Sequence, residues 1–278
     1  MLSDRKLKKN ILAMYFVQFA NMVVPFMTTP YLARVLGFET FGQLAFAQAI
    51  AMYFVLLTDW GLALSAPAQI IQAQATPAKV QRIIQDVIGA RLLLLALSFL
   101  LLIVVMLVVP NGRQLWALHF SAWLICVGNV MTLSWLLQAR ERLDLLAIAT
   151  LVGKLLALPL IFFVVKAPAD VWLAALLTSL STIIAGIVSC IFARKEVPFR
   201  TFNCSLSAAV TQLKSSFDIF ISNAAISLYT FSTTVILGIV SNSREVAMFS
   251  SADKVRGAVQ SFIGPINQAM YPRAHQVA

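Results

Sequence analysis

The stretch V-I-G-A-R-L-L-L-L-A-L-S-F-L-L-L-I-V-V-M-L-V-V, residues 87–109, carries a single charge, Arg91, in 23 positions. A helix in a water-soluble protein needs an apolar stripe, whereas this segment is apolar around its whole circumference. A hydrocarbon core of about 30 Å asks for about 20 such residues in a row. The stretch therefore reads as a membrane-spanning helix.

Seven further stretches have the same character. The expected spans are 11–33, 43–64, 87–109, 115–137, 145–165, 171–193, 215–240 and 250–272. Apolar residues make up 60% of the chain and charged ones 12%, against about 25% charged in soluble domains. The fold class is an all-α integral membrane protein of about eight transmembrane helices. No hydrophilic segment is long enough for a separate soluble domain. The basic N-terminus, M-L-S-D-R-K-L-K-K-N, is followed by no small-residue cleavage site, and the first apolar run reads as a retained helix.

The net charge of +10 would suggest nucleic acid in a soluble chain, but here it is an orientation signal and no nucleic-acid partner is implied. With the N-terminus cytoplasmic, thirteen Lys and Arg residues fall in inside segments, among them Arg5, Lys8, Arg82, Arg142 and Lys195. Only four, Arg34, Arg113, Lys166 and Arg244, fall in outside loops. That is a strong positive-inside bias. Trp60, Trp116, Trp135 and Trp172 stand within a few residues of span ends, as an interfacial aromatic belt requires. Thr76 followed by Pro77 reads as an N-cap with proline in the first helical position. Cys126, Cys190 and Cys204, with His119 and His275, form no metal-ligand spacing, and no cofactor is expected. No G-x-S-x-G, P-loop or metal cluster is present, so nothing points to an enzyme.

Polar groups inside the spans carry the functional information, because an ionisable group in hydrocarbon costs several kcal/mol and turns to a wet cavity or a partner. Lys154 lies about nine residues into its span, about 13–14 Å deep at 1.5 Å per residue. It either faces a lumen or pairs with a carboxylate to hold helices together. The eighth span is the most polar. Asp253, Arg256, Gln260, Gly264 and Asn267 share one helical face, and Lys254 is placed equally well in the lumen or at the interface. In the first span Gln18, Asn21, Pro25 and Thr28 share a face, as substrate contacts or as glue between helices. Asp59 and Asp218 are expected at the membrane interface. Pro25, Pro159 and Pro265 interrupt three spans, as happens where helices line a cavity or rock.

Five segments, P-Y-L-A-R-V-L-G-F-E-T-F-G (30–42), D-W-G-L (59–62), W-L-L-Q-A-R-E-R-L (135–143), F-I-S-N-A-A-I-S-L-Y (220–229) and A-D-K-V-R…G-P-I-N-Q-A-M-Y-P-R (252–273), together resemble the Wzx-type O-antigen flippases. These belong to the polysaccharide transporter family of the multidrug/oligosaccharidyl-lipid/polysaccharide exporter superfamily. The resemblance runs in order from the first span to the last residue. It implies two six-helix lobes around a central cavity. On that pattern residues 1–193 form the first lobe, 194–214 a cytoplasmic linker, and 215–278 the first two helices of an incomplete second lobe. Relatives carry at least twelve spans, so this chain is expected to be either a fragment or a truncated product.

The resemblance also implies a substrate. It would be an undecaprenyl-pyrophosphate-linked oligosaccharide, flipped across the bacterial inner membrane by alternating access in lipopolysaccharide biosynthesis. The lipid bilayer and the polysaccharide polymerase and chain-length machinery would be its partners. Lys154 and Arg256 are then the candidates for meeting pyrophosphate or acidic sugars, with Lys254, Gln18, Asn21, Gln260 and Asn267 also placed in the substrate cavity. The alternatives are a small-molecule exporter of the same fold and a truncated, non-transporting remnant.

Overall fold

The computed structural model describes residues 2–73, 75–108, 112–194, 196–197 and 205–257, and every regular element among them is helical. In chain order these are α1 (Leu2–Asp59), α2 (Leu62–Gln72), α3 (Pro77–Val108), α4 (Trp116–Met131), α5 (Ser134–Ala139), α6 (Leu143–Val164), α7 (Val171–Ala193), α8 (Leu206–Ser215) and α9 (Phe217–Val240). A tenth helix, α10, covers 243–257. Five of the described segments are long and apolar enough to cross a membrane, and α9, bent by 51° near its middle, makes a sixth if counted as one span.

The first two expected spans are not separated by a loop. Helix α1 has 58 residues, about 87 Å at 1.5 Å per residue, far more than one bilayer crossing. It is broken only at Gly37, whose φ of 75° and ψ of 161° lie in a region essentially reserved for glycine. Val24 and Met52, on either side of the break, line the same cavity, so the two arms of α1 fold back side by side about Gly37. The expected outside loop 34–42 is thus helix on both sides of one glycine.

The expected span 115–137 corresponds to one candidate span, Trp116–Ala139, which has an internal break. Residues 115–137 divide into α4 and α5, with Thr132 and Leu133 extended or irregular between them. The Ser189 hydroxyl accepts the Leu133 N–H at 3.1 Å, so α7 satisfies a backbone group that the break leaves open.

Helix α3 shows most directly how the sequence chooses its surroundings. Val80, Ile84, Val87, Arg91, Leu94, Ser98 and Leu102 recur at three- and four-residue intervals and are all buried. Leu93, Leu97, Leu100, Val104, Leu107 and Val108 on the remaining circumference are exposed. Water would not tolerate that face, and lipid does. The two polar residues of the stripe, Arg91 and Ser98, both turn inward.

Close approach between helices rests on small residues, as expected where lipid offers no hydrophobic drive for association. A Cβ on Gly128 of α4 would lie 2.4 Å from Thr182 Oγ1 of α7, and one on Gly153 of α6 would lie 2.2 Å from the Ser181 carbonyl oxygen. Ser179 Oγ donates to the Ser121 carbonyl at 2.7 Å in the same α4–α7 seam. Thr76 carbonyl accepts from Lys79 and Val80 N–H at the start of α3, in keeping with the T-P signature. The tryptophans divide: Trp116 is 60% and Trp172 41% exposed, whereas Trp135 is wholly buried. Trp135 is therefore a core residue of the α2–α5 packing and not part of a belt.

Candidate functional site

A cavity of about 260 Å³ opens where the arms of α1 meet α4, α6, α7 and α10. Its walls are largely apolar, with hydroxyl groups from Thr28, Thr29, Thr178, Ser179, Ser181 and Thr182, the Gln48 amide, and two cations, Lys154 and Lys254. Pro25 in α1 contributes to the wall, and Pro159 lies inside α6. Thr28 spends its hydroxyl on its own helix, donating to the Val24 carbonyl at 2.9 Å.

Lys154 stands halfway along the 22 residues of α6, about 16 Å from its first residue. Lys254 stands about as far into α10, and its ammonium lies 5.2 Å from the centre of the Phe41 ring. A cation over an aromatic face at this distance is held electrostatically. Two ammonium groups from different helices thus share one cavity in the apolar interior. Such a site favours an anion. Thr178, Ser179 and Thr182, like Thr28, donate their hydroxyl hydrogens to backbone carbonyls, so these hydroxyls can accept from sugar hydroxyls. Thr29, Ser181 and the Gln48 amide are left as donors to phosphate or sugar oxygens.

The other sequence candidates are placed differently. Arg256 is exposed and donates from Nε and Nη2 to Asp253 Oδ1 at 2.9 and 2.6 Å. Gln18 is exposed on α1, and neither it nor Arg256 is part of the cavity wall. The side chain of Asn21, and Gln260, Gly264, Pro265 and Asn267 in full, lie outside the described residues, as do Cys204 and His275.

A second polar constellation was not legible as a site. Arg91 is 1% exposed and bonds Asp59 Oδ1 through Nη2 at 2.5 Å. Its Nη1 reaches the carbonyl oxygens of Asn129 and Thr132 at 3.3 and 3.4 Å. Asp59 ends α1 and is followed by Trp60 and Gly61 at φ of 47° and 73°. One guanidinium therefore ties the α1–α2 corner to the α4–α5 break. Asp59, expected at the interface, is the partner of a buried arginine. The signal was the heptad-like placing of Arg91 on one face with Leu94 and Ser98, but the partner comes from 32 residues away.

The same corner is packed against the start of α9. Trp60 stacks on Phe220 with ring centres 3.9 Å apart and planes 9° from parallel, and its Nε1–H donates to the Leu213 carbonyl at 3.0 Å. Ser65 and Ser216 share a hydrogen bond at 2.7 Å, and Gln212 Nε2 donates to Gln69 Oε1 at 3.0 Å. The D-W-G-L motif thus serves as a corner: Gly61 leaves room that a Cβ would lose, 2.8 Å from Ile219 Cγ2.

Comparison with known proteins gives a consistent result. The family described as "Polysaccharide biosynthesis protein" matches residues 7–277. A protein of Escherichia coli (strain K12) named "Putative O-antigen transporter" is 32% identical over 267 residues, which is 96% of this chain and 64% of that protein. A Shigella dysenteriae protein of the same name is 32% identical over 268 residues, 96% of this chain and 67% of its own length. The chain therefore spans about two thirds of the length of these relatives. No solved structure matches.

Proposed function

The chain belongs to the polysaccharide biosynthesis protein family, and from that membership we propose that it carries a lipid-linked oligosaccharide across a bacterial inner membrane. The observation that carries this reading is the pair Lys154 and Lys254 opening on one cavity inside an apolar bundle. The names of the two relatives support O-antigen as the class of cargo.

In this reading the N-terminus is cytoplasmic, as the distribution of Lys and Arg favours. The head group of an undecaprenyl-linked oligosaccharide is anionic, and carrying it bare through hydrocarbon would cost far more than a transporter can supply. Lys154 and Lys254 offset that cost by meeting the diphosphate, while the polyprenyl chain stays in lipid. Residues 1–193 act as one lobe and 215–278 as the beginning of a second, and their relative movement gives alternating access. Pro25 and Pro159, each inside its helix, and the corner at Trp60–Gly61 are where that movement would be taken up.

The test is deletion of the gene in its host with mass spectrometry of the lipid-linked pool, followed by complementation. Accumulated undecaprenyl-linked repeat unit and lost surface polymer are expected. Lys154→Ala and Lys254→Ala should complement poorly at normal membrane abundance, and Lys154→Arg better than Lys154→Ala. An unchanged lipid pool in the deletion strain refutes the reading. A second reading, export of a small anionic solute, draws on the cavity volume of about 260 Å³, small beside the usual range of about 300–1,000 Å³ for ligand sites. Efflux of such a solute with an unchanged lipid pool would select it.

A further inference from the structure

Arg91 and Lys254 are both drawn into the bundle, and they are compensated in different ways. Arg91 is matched by the carboxylate of Asp59, which cancels its charge and makes the pair a tie between helices. Lys254 has no such partner. Among the described residues it forms no hydrogen bond or ion pair, and its ammonium sits 5.2 Å from the centre of the Phe41 ring. The carboxylate next to it in sequence is already taken, because Asp253 accepts from Nε and Nη2 of the exposed Arg256. Within D-K-V-R (253–256) the outer two charges thus cancel each other. Lys254 carries the net charge into the cavity it shares with Lys154, and no described Asp or Glu belongs to that cavity's wall.

The aromatic seat is fixed by its own surroundings. Phe41 is wholly buried, in an apolar core that also includes Leu36, Leu44, Leu118 and, from α10, Ala247, so its ring has little room to follow a moving cation. Gly42, the next residue, lets α10 come close: a Cβ there would overlap the Ser243 carbonyl oxygen at the start of α10. Side chains of a helix lean toward its N-terminus, which carries Lys254 back along α10. An aromatic face attracts a cation through its quadrupole without neutralising it. The ammonium therefore keeps its charge and its unspent N–H donors for an anion. Without an anchor, a lysine at this depth would extend towards the nearest polar boundary, as long basic side chains do in membranes.

We propose that Phe41 is a positioning residue of the anion site, its ring holding the Lys254 ammonium at the cavity where a purely structural pair would have a carboxylate. That the anion is a diphosphate rests on the transport reading; the seating of Lys254 does not. The ring acts by raising the fraction of molecules whose Lys254 faces the cavity, and apparent affinity scales with that fraction.

The experiment replaces Phe41 with mono-, di- and trifluorophenylalanine, which closely keep the shape of the ring while draining negative charge from its face. Affinity for inorganic diphosphate is measured by titration calorimetry on the purified protein in nanodiscs of zwitterionic lipid. It should fall with each added fluorine, by about five-fold or more over the series, and fall at least as far in Phe41→Leu. In a Lys254→Ala background, where no ammonium is left to seat, the series should show no such trend. Equal affinity across the series overturns the proposal, because a packing role depends on shape alone. The same decline in the Lys254→Ala background, or no diphosphate binding by the wild type, also overturns it. If Phe41→Leu does not fold, the fluorinated series decides. A graded loss together with an unchanged lipid pool in the deletion strain would keep the seat and refute the transport reading. Binding that ignores fluorination, with accumulated repeat unit in that strain, would refute the seat alone.

Discussion

Removing either partner of the Arg91–Asp59 pair should be among the most damaging single substitutions in the chain. The guanidinium is almost wholly enclosed and touches a carboxylate and two carbonyl oxygens, so Asp59→Ala leaves a charge inside the bundle with only backbone dipoles around it. Breaking a buried pair from one side costs about 3–5 kcal/mol. Asp59 retains some contact with solvent, 19% of its side chain, so the lower end applies to Arg91→Met, where the carboxylate is the group left over. At roughly 2–4 °C per kcal/mol for a chain of this size, about 3 kcal/mol is a fall of about 6–12 °C. The double variant Asp59→Ala/Arg91→Met removes both charges and should lose clearly less than the sum of the two singles. The assay is thermal unfolding of the detergent-solubilised protein followed by size-exclusion chromatography. A fall of under about 2 °C in either single variant, or strict additivity in the double, would refute the claim that this pair fixes the two helix breaks.

Three further outcomes follow from the packing. Gly128→Ala should cost about 1–3 kcal/mol through overpacking, because its Cβ would lie 2.5 Å from the Thr182 carbonyl carbon; unfolding temperature measures it, and an unchanged value would mean that α4 and α7 are further apart than described. Gly37→Ala meets no atom within 4 Å, yet should still cost about 1–3 kcal/mol from the backbone conformation alone. The control Gly257→Ala, equally open and without a positive φ, should be neutral in the same assay. Trp60→Phe keeps a ring for Phe220 and loses only the hydrogen bond to Leu213, about 0.5–1.5 kcal/mol, whereas Trp60→Ala adds a stacking loss of about 0.5–1.5 kcal/mol. Equal unfolding temperatures for the two variants would show that the stack contributes nothing.

Much of the fold was legible because lipid imposes a simple rule on sequence. Length and apolarity alone identify the spanning helices, since every backbone polar group in hydrocarbon must be satisfied within its own helix. The all-helical class and the membrane were readable in this way, and the family from an ordered set of short segments. The motifs, once seen in place, are mostly corners: L-G around Gly37 turns α1 back on itself, and D-W-G-L joins α1 to α2 and receives α9. The break at Thr132–Leu133 inside the span Trp116–Ala139 was not legible, because a break stabilised by Ser189 and Arg91 from other helices leaves no mark in local hydropathy.

The sequence by itself determined that this chain is a membrane helix bundle, because composition and run length act locally and need no partner. It also marked Lys154 as a cation too deep for the interface. Only the tertiary structure decided which cations share a cavity, because a helical face tells where a side chain leaves its own helix and not what stands opposite. Lys254 joins Lys154 while Arg256, two residues on, turns outward to Asp253. Arg91 meets Asp59 across 32 residues, and Lys254 meets the Phe41 ring, a pairing that no spacing announced. Each of these pairings depends on how helices fold back and cross, and those angles are set by glycines and serines packed between helices distant in the chain.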